Sequence, residues 1–343
     1  MIMAADVGVT RGDPWAIVLA GGGGSRLRGC TVDSSGHHVP KQYCLVDGSR
    51  TLLQLAVARA KRFADPGHVM VVVSSQHREW WKPQLAGLIP SANIVAQPLS
   101  RGTTVGVLLP LMHVLARDPE AHLVLLPADH YFRAEERLTT SIRRGLEHTY
   151  REPSTLALIG VEPDVPTPDF GYIVPLTAGD TGGPREVASF VEKPPRGQAR
   201  QLIAQGALWN TLILAARGQH LLLVIRNRFP HTVDALRFAT TRSEDPDHLA
   251  QALSAIFRSL TIADFSKDVL EPGNHSMVVV SAADVGWAEL GTPTRVLRFW
   301  DELQPGSIGQ TTTSSAKART GRASLLEALP PAAHAEIRLR PPS

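Results

Sequence analysis

The feature that most restricts the fold of this chain is an apolar run, Trp15-Ala16-Ile17-Val18-Leu19-Ala20, that stops against four consecutive glycines, Gly21 to Gly24. An unbroken apolar run of that length closed by glycines predicts a strand buried on both faces and followed by a tight loop. Glycines at that point let the backbone approach a phosphate closely and aim several N–H groups at it. Two common nucleotide loops are excluded by spacing. A dinucleotide fingerprint needs a third small residue where Arg26 or Leu27 stands, and a P-loop must end in Gly-Lys-Ser/Thr, which does not occur here. The loop is therefore expected to hold phosphate in a third manner, with Arg26 supplying the charge.

The rest of the chain repeats the theme. A helical pattern over 51–63 places Leu52, Leu55, Ala56 and Ala60 on one face. The Val-rich segment 68–73 predicts a second strand, 102–115 a helix, and His122-Leu123-Val124-Leu125-Leu126 another buried strand. Strands separated by helices imply right-handed crossovers and a mostly parallel sheet. Beyond about residue 154, short strands are expected at 156–161, 171–174 and 186–191, with Pro- and Gly-rich turns between them. Helices are expected over 198–204, 219–228 and 247–257, then a strand at 277–281 and a helix at 292–303. No internal repeat is visible. The expected organisation is a short flexible N-terminus (1–13), one α/β domain (14–303) and a low-complexity tail (304–343) rich in Ser, Thr, Gly, Ala and Pro.

Composition removes several function classes. With 343 residues, 43% hydrophobic and 20% charged, the chain is long enough for a large core and ordinary for a globular protein. Lys plus Arg exceed Asp plus Glu by only three (35 against 32), and the arginines are scattered, which argues against a nucleic-acid partner. Two cysteines, Cys30 and Cys44, make neither a disulfide framework nor a zinc site. The N-terminus lacks a signal-peptide pattern and no stretch reaches a membrane-spanning length, so no membrane partner and a cytoplasmic location are expected. Oligomeric state cannot be read from the chain.

An ordered set of further segments carries a resemblance. Gly-Gly-x-Gly-Ser-Arg-Leu over residues 21–27 is followed by Pro40-Lys41-Gln42, Gln97-Pro98-Leu99-Ser100-Arg101-Gly102-Thr103 and Pro127-Ala128-Asp129-His130. Then come Asp169-Phe170-Gly171-Tyr172-Ile173, Phe190-Val191-Glu192-Lys193-Pro194, Trp209-Asn210 and Val285-Gly286-Trp287-Ala288-Glu289-Leu290-Gly291. Across roughly residues 15–300 this series resembles the sugar-1-phosphate nucleotidyltransferases, and within them the mannose-1-phosphate guanylyltransferases. The resemblance implies a single Rossmann-like (GT-A-like) domain with a mixed, mostly parallel central sheet flanked by helices. It also implies Mg2+-dependent attack of mannose 1-phosphate on the α-phosphorus of GTP, releasing pyrophosphate. UTP or dTTP with glucose 1-phosphate, or a catalytically silent subunit that binds nucleotide sugar, are the alternatives.

The resemblance assigns roles residue by residue. Leu19, Ala20, Gly21, Gly22, Gly23, Gly24 and Ser25 would line the nucleotide, with Gln97, Arg101, Gly102 and Thr103 at the base. Arg26 and Lys41 would neutralise the triphosphate, and Lys193 the sugar phosphate. Gly171, Tyr172, Glu192 and Asn210 would meet the sugar. Asp129 and Glu289 would hold Mg2+, with Asp284 the lesser candidate for the second carboxylate. The alternative for Asp129 is capping the helix that starts near Ala134. Departures from the family pattern fall at the link 28–39, at Gln97 (usually Glu), at Gly102 (usually Asn), at Glu289 (usually Asp), and at Thr211-Leu212 (usually Ser-Gly). Those at Gln97, Gly102 and Thr211-Leu212 bear on the choice of base and sugar rather than on phosphate chemistry, and Glu289 bears on the metal. Trp209 is expected in the core and outside the site, and His37-His38 as solvated loop residues.

Overall fold

The computed structural model describes residues 12–24, 27, 31, 37–46, 49–177, 179, 182–241, 246–292, 295–296 and 299, without the side chains of 240–241 and 246–250. Ser25, Arg26, nearly all of the N-terminal segment and the tail 304–343 lie outside the described residues.

In chain order the elements are β1 (Trp15–Ala20), α1 (Leu52–Ala60), β2 (Val69–Ser74), α2 (Arg78–Leu85), β3 (Ile94–Gln97), α3 (Gly102–Arg117), β4 (His122–Pro127), β5 (His130–Phe132) and α4 (Glu135–Arg151). The second half continues with β6 (Thr155–Val161), β7 (Gly171–Pro175), β8 (Arg185–Glu192), α5 (Arg196–Ala204), β9 (Leu208–Arg217), α6 (Gly218–Arg228), α7 (Pro230–Thr241), α8 (Pro246–Ser259), β10 (Ser276–Ser281) and β11 (Trp287–Glu289). The strands and helices expected before residue 292 are all found within a few residues. Elements not foreseen are α2, β3, β5, α7, β11 and the long β9, whose Leu-Trp-Asn-Thr-Leu-Ile-Leu-Ala-Ala-Arg carries no alternation because most of it is buried. Of the helix expected over 292–303, Arg295, Val296 and Phe299 are described and are helical.

The sheet runs β3-β2-β1-β4-β9-β6-β10-β8-β7. Parallel ladders join β1 to β2 and β4, β2 to β3, and β6 to β10, whereas β9 is antiparallel to β4 and β6, and β8 to β7 and β10. Only β8 and β9 therefore run against the other strands, which is the mixed, mostly parallel sheet the resemblance implied. Strand β9 also pairs with β7 at Leu208 and Trp209, so the second half of the sheet curls back on itself.

Side chains alternate across this sheet with a period of two. Ala16, Val18 and Ala20 pack with Val69, Val71, Val124 and Leu126 beneath α1 and α4, while Trp15 and Ile17 face Met70, Leu123 and Leu125 beneath α3, α6 and α7. Each large apolar side chain so buried contributes about 1.5–3 kcal/mol. The entry of α1 is set by a capping box, in which Thr51 Oγ1 accepts from Gln54 N and Gln54 Oε1 accepts from Thr51 N. No helix among the described residues is long and apolar enough to cross a membrane.

This topology decides where a site can form. From β1 the chain moves outward through β2 to β3, then returns to add β4 on the other side of β1, so the strand order reverses between β1 and β4. Open α/β sheets bind ligands at the carboxyl ends of strands beside such a reversal. Leu19 pairs with Pro127 and Ser74 with Gln97, so the glycine loop, Gln97 and Asp129 emerge along one edge.

Candidate active site

Two cavities open at that edge. The first, about 210 Å³, is lined by Leu19, Gly21, Gly22, Gln97, Gly102, Thr103 and Asp129, among others. The second, about 450 Å³, is lined by Asp169, Phe170, Trp209, Trp287, Glu289 and Arg295, among others. Between them the Lys41 ammonium lies 3.0 Å from Asp129 Oδ2 and 2.9 Å from Glu289 Oε1. Asp129 belongs to the first cavity and Glu289 to the second, so a single ammonium ties the two together.

Each member of this bridge is placed by backbone. Asp129 follows the last residue pair of β4, and its neighbour Ala128 donates its N–H to Leu19 O at 3.1 Å. Glu289 ends β11, which pairs with β5 so that Glu289 stands opposite His130. Lys41 opens a short turn whose next residue, Gln42, donates through Nε2 to the carbonyls of Ala20 (3.1 Å) and Gly22 (2.7 Å). The glycine loop is thus fastened to the Pro40-Lys41-Gln42 segment. His38 reinforces it, with Nε2 3.2 Å from Gly23 O and Nδ1 3.1 Å from Thr31 Oγ1. Its place is in the loop's framework, not in open solvent.

The charges hold one another in their ionised forms. Burial pushes Asp129 up, but Lys41 and His130 outweigh it and bring its carboxyl down to about 2. Glu289 follows the same balance, with burial raising it and Lys41 the foremost lowering influence, for a net fall. Burial opposes the charged form of Lys41, yet the two carboxylates prevail and its pKa rises.

Asp129, His130 and Glu289 bring potential metal-binding atoms within 4.8 Å of one another. The Trp287 indole Nε1, which can only donate, lies 3.2 Å from His130 Nδ1. That nitrogen must accept, so a neutral His130 carries its proton on Nε2. Burial foremost keeps His130 neutral, its pKa being lowered. With Nε2 protonated the histidine is no ligand, and the remaining donors are carboxylate oxygens. An all-oxygen set with room for phosphate oxygens suits Mg2+. Asp129 caps no helix, since the residue preceding α4 is Ala134 and no side chain caps it. Asp284 is turned outward onto Arg137 at 2.9 Å, with its side chain exposed, so Glu289 is the second carboxylate of the cluster.

Several other expected residues fall at the first cavity. The Gln97 amide packs over Gly21, and its Oε1 is buried without a hydrogen-bond partner among the described residues. Thr103 lines the cavity and its Oγ1 accepts from Phe265 N at 2.7 Å. Gly102 has φ +84°, and a Cβ there would lie 2.1 Å from Ala263 O, so no other residue fits. Arg101 differs from expectation. Its Nε and Nη2 donate to the carbonyls of Phe257 and Arg258 near the end of α8. The unpaired carbonyls of that helix end draw the guanidinium away from the first cavity.

Of the residues expected at the sugar, Gly171, Glu192, Lys193 and Asn210 lie on or beside β7, β8 and β9 and line neither of the two cavities. Gly171 pairs with Glu192, and a Cβ at Gly171 would come within 2.5 Å of Glu192 Oε2. Lys193 Nζ is 2.7 Å from Glu192 Oε1, and burial raises the Glu192 pKa despite that partner. Asn210 Oδ1 accepts from Leu212 N at 3.0 Å, supporting Leu212 at φ +58° where a glycine is more usual. Tyr172 is a correction. Its ring is fully buried, and its hydroxyl accepts from Thr167 N and donates to Thr167 O, both at 3.0 Å, so it holds a turn rather than facing a ligand.

One further residue was not foreseen, and one expected in the core lies there and also lines the second cavity. Arg295 donates to Glu289 Oε2 at 2.6 Å and to Asp169 Oδ2 at 2.5 Å, and stacks on Phe170 with its guanidinium carbon 4.2 Å from the ring centroid. Nothing in the sequence marks a lone arginine in a helix as part of a site. Trp209 forms an aromatic wall with Phe170 (4.9 Å) and Trp287 (5.9 Å), and its buried Nε1 has no partner among the described residues. The strand β9 turns this ring toward the second cavity.

A strand-reversal cleft with a glycine loop, an acidic pair and a bridging lysine defines a nucleotide-handling α/β protein. The profile of the nucleotidyl transferase family matches residues 15–300, and the chain belongs to that family. Among curated proteins it is 28% identical over 301 residues to the alginate biosynthesis protein AlgA of Pseudomonas aeruginosa, covering 86% of this chain and 60% of that one. It is 29% identical over 286 residues to mannose-1-phosphate guanylyltransferase of Escherichia coli K12, covering 81% of this chain and 58% of the other. The chain thus spans about 60% of the length of these relatives. A Thermus thermophilus crystal structure described as a mannose-1-phosphate geranyltransferase shares the fold, with a TM-score of 0.72, 24% identity, and coverage of 84% of this chain and 79% of that one.

Proposed function

We propose that this chain is a sugar-1-phosphate nucleotidyltransferase that transfers GMP from GTP to mannose 1-phosphate with Mg2+. The observation that carries the reading is the Lys41 bridge, with Asp129 in one cavity and Glu289 in the other. Two substrates carrying phosphates, one in each cavity, would meet at that bridge. The nucleoside triphosphate would lie against the glycine loop, its base beside Gln97. The sugar would lie in the aromatic cavity, among carboxylates and Arg295 that can pair with hydroxyls and phosphate. A phosphate oxygen of the sugar then bonds to the α-phosphorus as the bond from that phosphorus to the β-phosphate oxygen breaks, and pyrophosphate departs with the electron pair. Lys41 would neutralise charge at the transferring group, and Arg26 is expected to do so at the leaving phosphates. Mg2+ held by Asp129 and Glu289 would add Lewis-acid charge stabilisation.

One observation favours a second choice of base. An amide such as Gln97 offers one donor and one acceptor, which matches a carbonyl beside a ring N–H. Guanine and uracil both present that edge, so UTP or dTTP with a hexose 1-phosphate is the second reading. Pyrophosphate release measured with a panel of nucleoside triphosphates and sugar 1-phosphates, with and without Mg2+, separates these. GTP with mannose 1-phosphate is expected to turn over best, and Asp129→Asn to lower the rate by about 100-fold or more. Preference for UTP or dTTP would overturn the guanylyl assignment alone. Nucleotide-sugar binding without turnover of any pair would overturn the enzyme.

A further inference from the structure

Glutamate carries one more methylene and one more torsion than aspartate, so a glutamate that must meet a geometrically strict cation has to be fixed by its surroundings. Glu289 is fixed on three sides. A Cβ at residue 291 would lie 2.3 Å from its Oε1 and 2.4 Å from its Oε2, so the carboxylate is folded back into space that Gly291 leaves open. Its two oxygens are divided between two cations. Oε1 faces Lys41 Nζ at 2.9 Å, and Oε2 accepts from Arg295 Nη1 at 2.6 Å. Arg295 is anchored in turn, with Nη2 on Asp169 Oδ2 at 2.5 Å and the guanidinium stacked on Phe170. Asp169 Oδ2 also accepts from Thr167 Oγ1 at 2.9 Å, and the buried Tyr172 hydroxyl clamps the Thr167 backbone. The series Tyr172, Thr167, Asp169, Arg295 and Glu289 thus runs from β7 to the acidic pair.

We propose that Arg295 is a positioning residue for the metal: its fork fixes Oε2 of Glu289 and leaves Oε1, the oxygen now shared with Lys41, for Mg2+. This role rests on the reading of Asp129 and Glu289 as the Mg2+ pair given above. A planar fork spans two carboxylates at a set separation, whereas an ammonium is a point charge that serves one of them at a time. Arg295 holds the oxygen that Lys41 does not, so it orients the carboxylate without occupying the coordinating atom. Charge alone would work the other way, because a guanidinium beside the site repels a divalent cation. Geometry and charge are therefore separated by substitutions that keep the charge.

Isothermal titration calorimetry with Mg2+, on the full chain without nucleotide, tests this role in a cycle of Arg295→Lys, Glu289→Asp and the double variant, all of unchanged charge. Loss of a group that orients a metal ligand typically weakens metal affinity 10- to 100-fold, so Arg295→Lys is expected to weaken Mg2+ binding about tenfold. Glu289→Asp shortens the side chain by one C–C bond, about 1.5 Å, and withdraws it from Arg295. In that background Arg295→Lys is expected to change the affinity less than about twofold, since the pair it acts through is already broken. Metal-free melting curves establish that all four proteins are folded at the titration temperature. An arginine that acts by charge alone leaves Arg295→Lys at native affinity, and one that acts independently of Glu289 gives the same loss in both backgrounds. Either result overturns the proposal, as does a native chain that binds no Mg2+. Pyrophosphate release by the native chain keeps the two readings apart: no turnover with any substrate pair overturns the transferase, while the Mg2+ cycle still decides the role of Arg295.

Discussion

Replacing Lys41 by Met removes the ammonium that lies 3.0 Å from Asp129 and 2.9 Å from Glu289 while keeping most of the apolar stem of the side chain. Removing one member of a buried charge pair costs about 3–5 kcal/mol, because the partner is left uncompensated. The Asp129 side chain is 35% exposed and water screens its half of the interaction, whereas Glu289, only 9% exposed, keeps its ion pair with Arg295 at 2.6 Å. The loss should therefore fall at the lower end, about 3 kcal/mol. At roughly 2 °C per kcal/mol for a chain of this size, the melting temperature without Mg2+ should drop by about 6 °C. Acid sensitivity should change in step. In the native protein the Asp129 contribution is present above its ordinary pKa of 3.8 and is lost as the pH falls to about 2. In the variant that loss should begin at higher pH.

If Mg2+ is held by the same two carboxylates, it competes with Lys41 and should bind the variant more tightly. At a hundred times its dissociation constant, a ligand restores about 2.7 kcal/mol, close to what the ammonium supplied. Calorimetry with and without Mg2+, in the absence of nucleotide, should therefore show a large stabilisation of Lys41→Met and a smaller one of the native chain. Turnover should remain lost, since the metal does not replace the lysine at the transferring phosphate. Equal Mg2+ affinity in the two proteins, or a metal-free melting temperature unchanged by the substitution, would refute this account of the bridge.

Arg295→Ala should raise the KM for sugar phosphate about 10- to 100-fold, since charged hydrogen bonds contribute about 1.5–3 kcal/mol each. Arg295→Lys should not rescue it, because one ammonium cannot span Glu289 and Asp169 as the planar fork does; steady-state kinetics with each substrate varied will read both. Gly102→Ala combines a left-handed residue, about 1–2 kcal/mol, with overpacking against Ala263, about 1–3 kcal/mol. Its denaturant midpoint should show a loss of roughly 2–5 kcal/mol, whereas Gly22→Ala, where a Cβ meets nothing within 4 Å, should show far less. Burial, helped by His220, lowers His275 to about 4. Stability from a neutral His275 is therefore present above pH 6.5 and is lost as the pH falls through about 4. His275→Gln should flatten that part of a stability-versus-pH curve.

The fold was legible where elements carry their own period or punctuation. The strand Trp15–Ala20 ends in glycines, and Thr51 and Gln54 cap α1 from positions three residues apart. Strand β9 was not legible, because a strand buried on both faces reads as an unbroken apolar run that a helix could equally contain. Trp209 is the core residue its sequence suggested, at 6% exposure, and pairing of β9 with β7 also brings it to the wall of the second cavity. Arg101, expected at the nucleotide, instead bonds the end of α8, more than a hundred residues away in the chain, a partner that no local pattern announces.

What the sequence determined by itself is the set of local commitments: a buried strand stopping at a glycine loop, a lysine after a proline, and carboxylates at strand ends. These depend on neighbours a few residues apart, through backbone freedom and side-chain periodicity. Only the tertiary structure decided that Lys41, Asp129 and Glu289, separated by up to 248 positions, share one ammonium. It alone joined Arg295 to Asp169 and Glu289. Ion pairing at 3 Å depends on where strands β4, β5 and β11 converge in space, and sheet order sets that convergence through long-range packing that no short window of sequence contains.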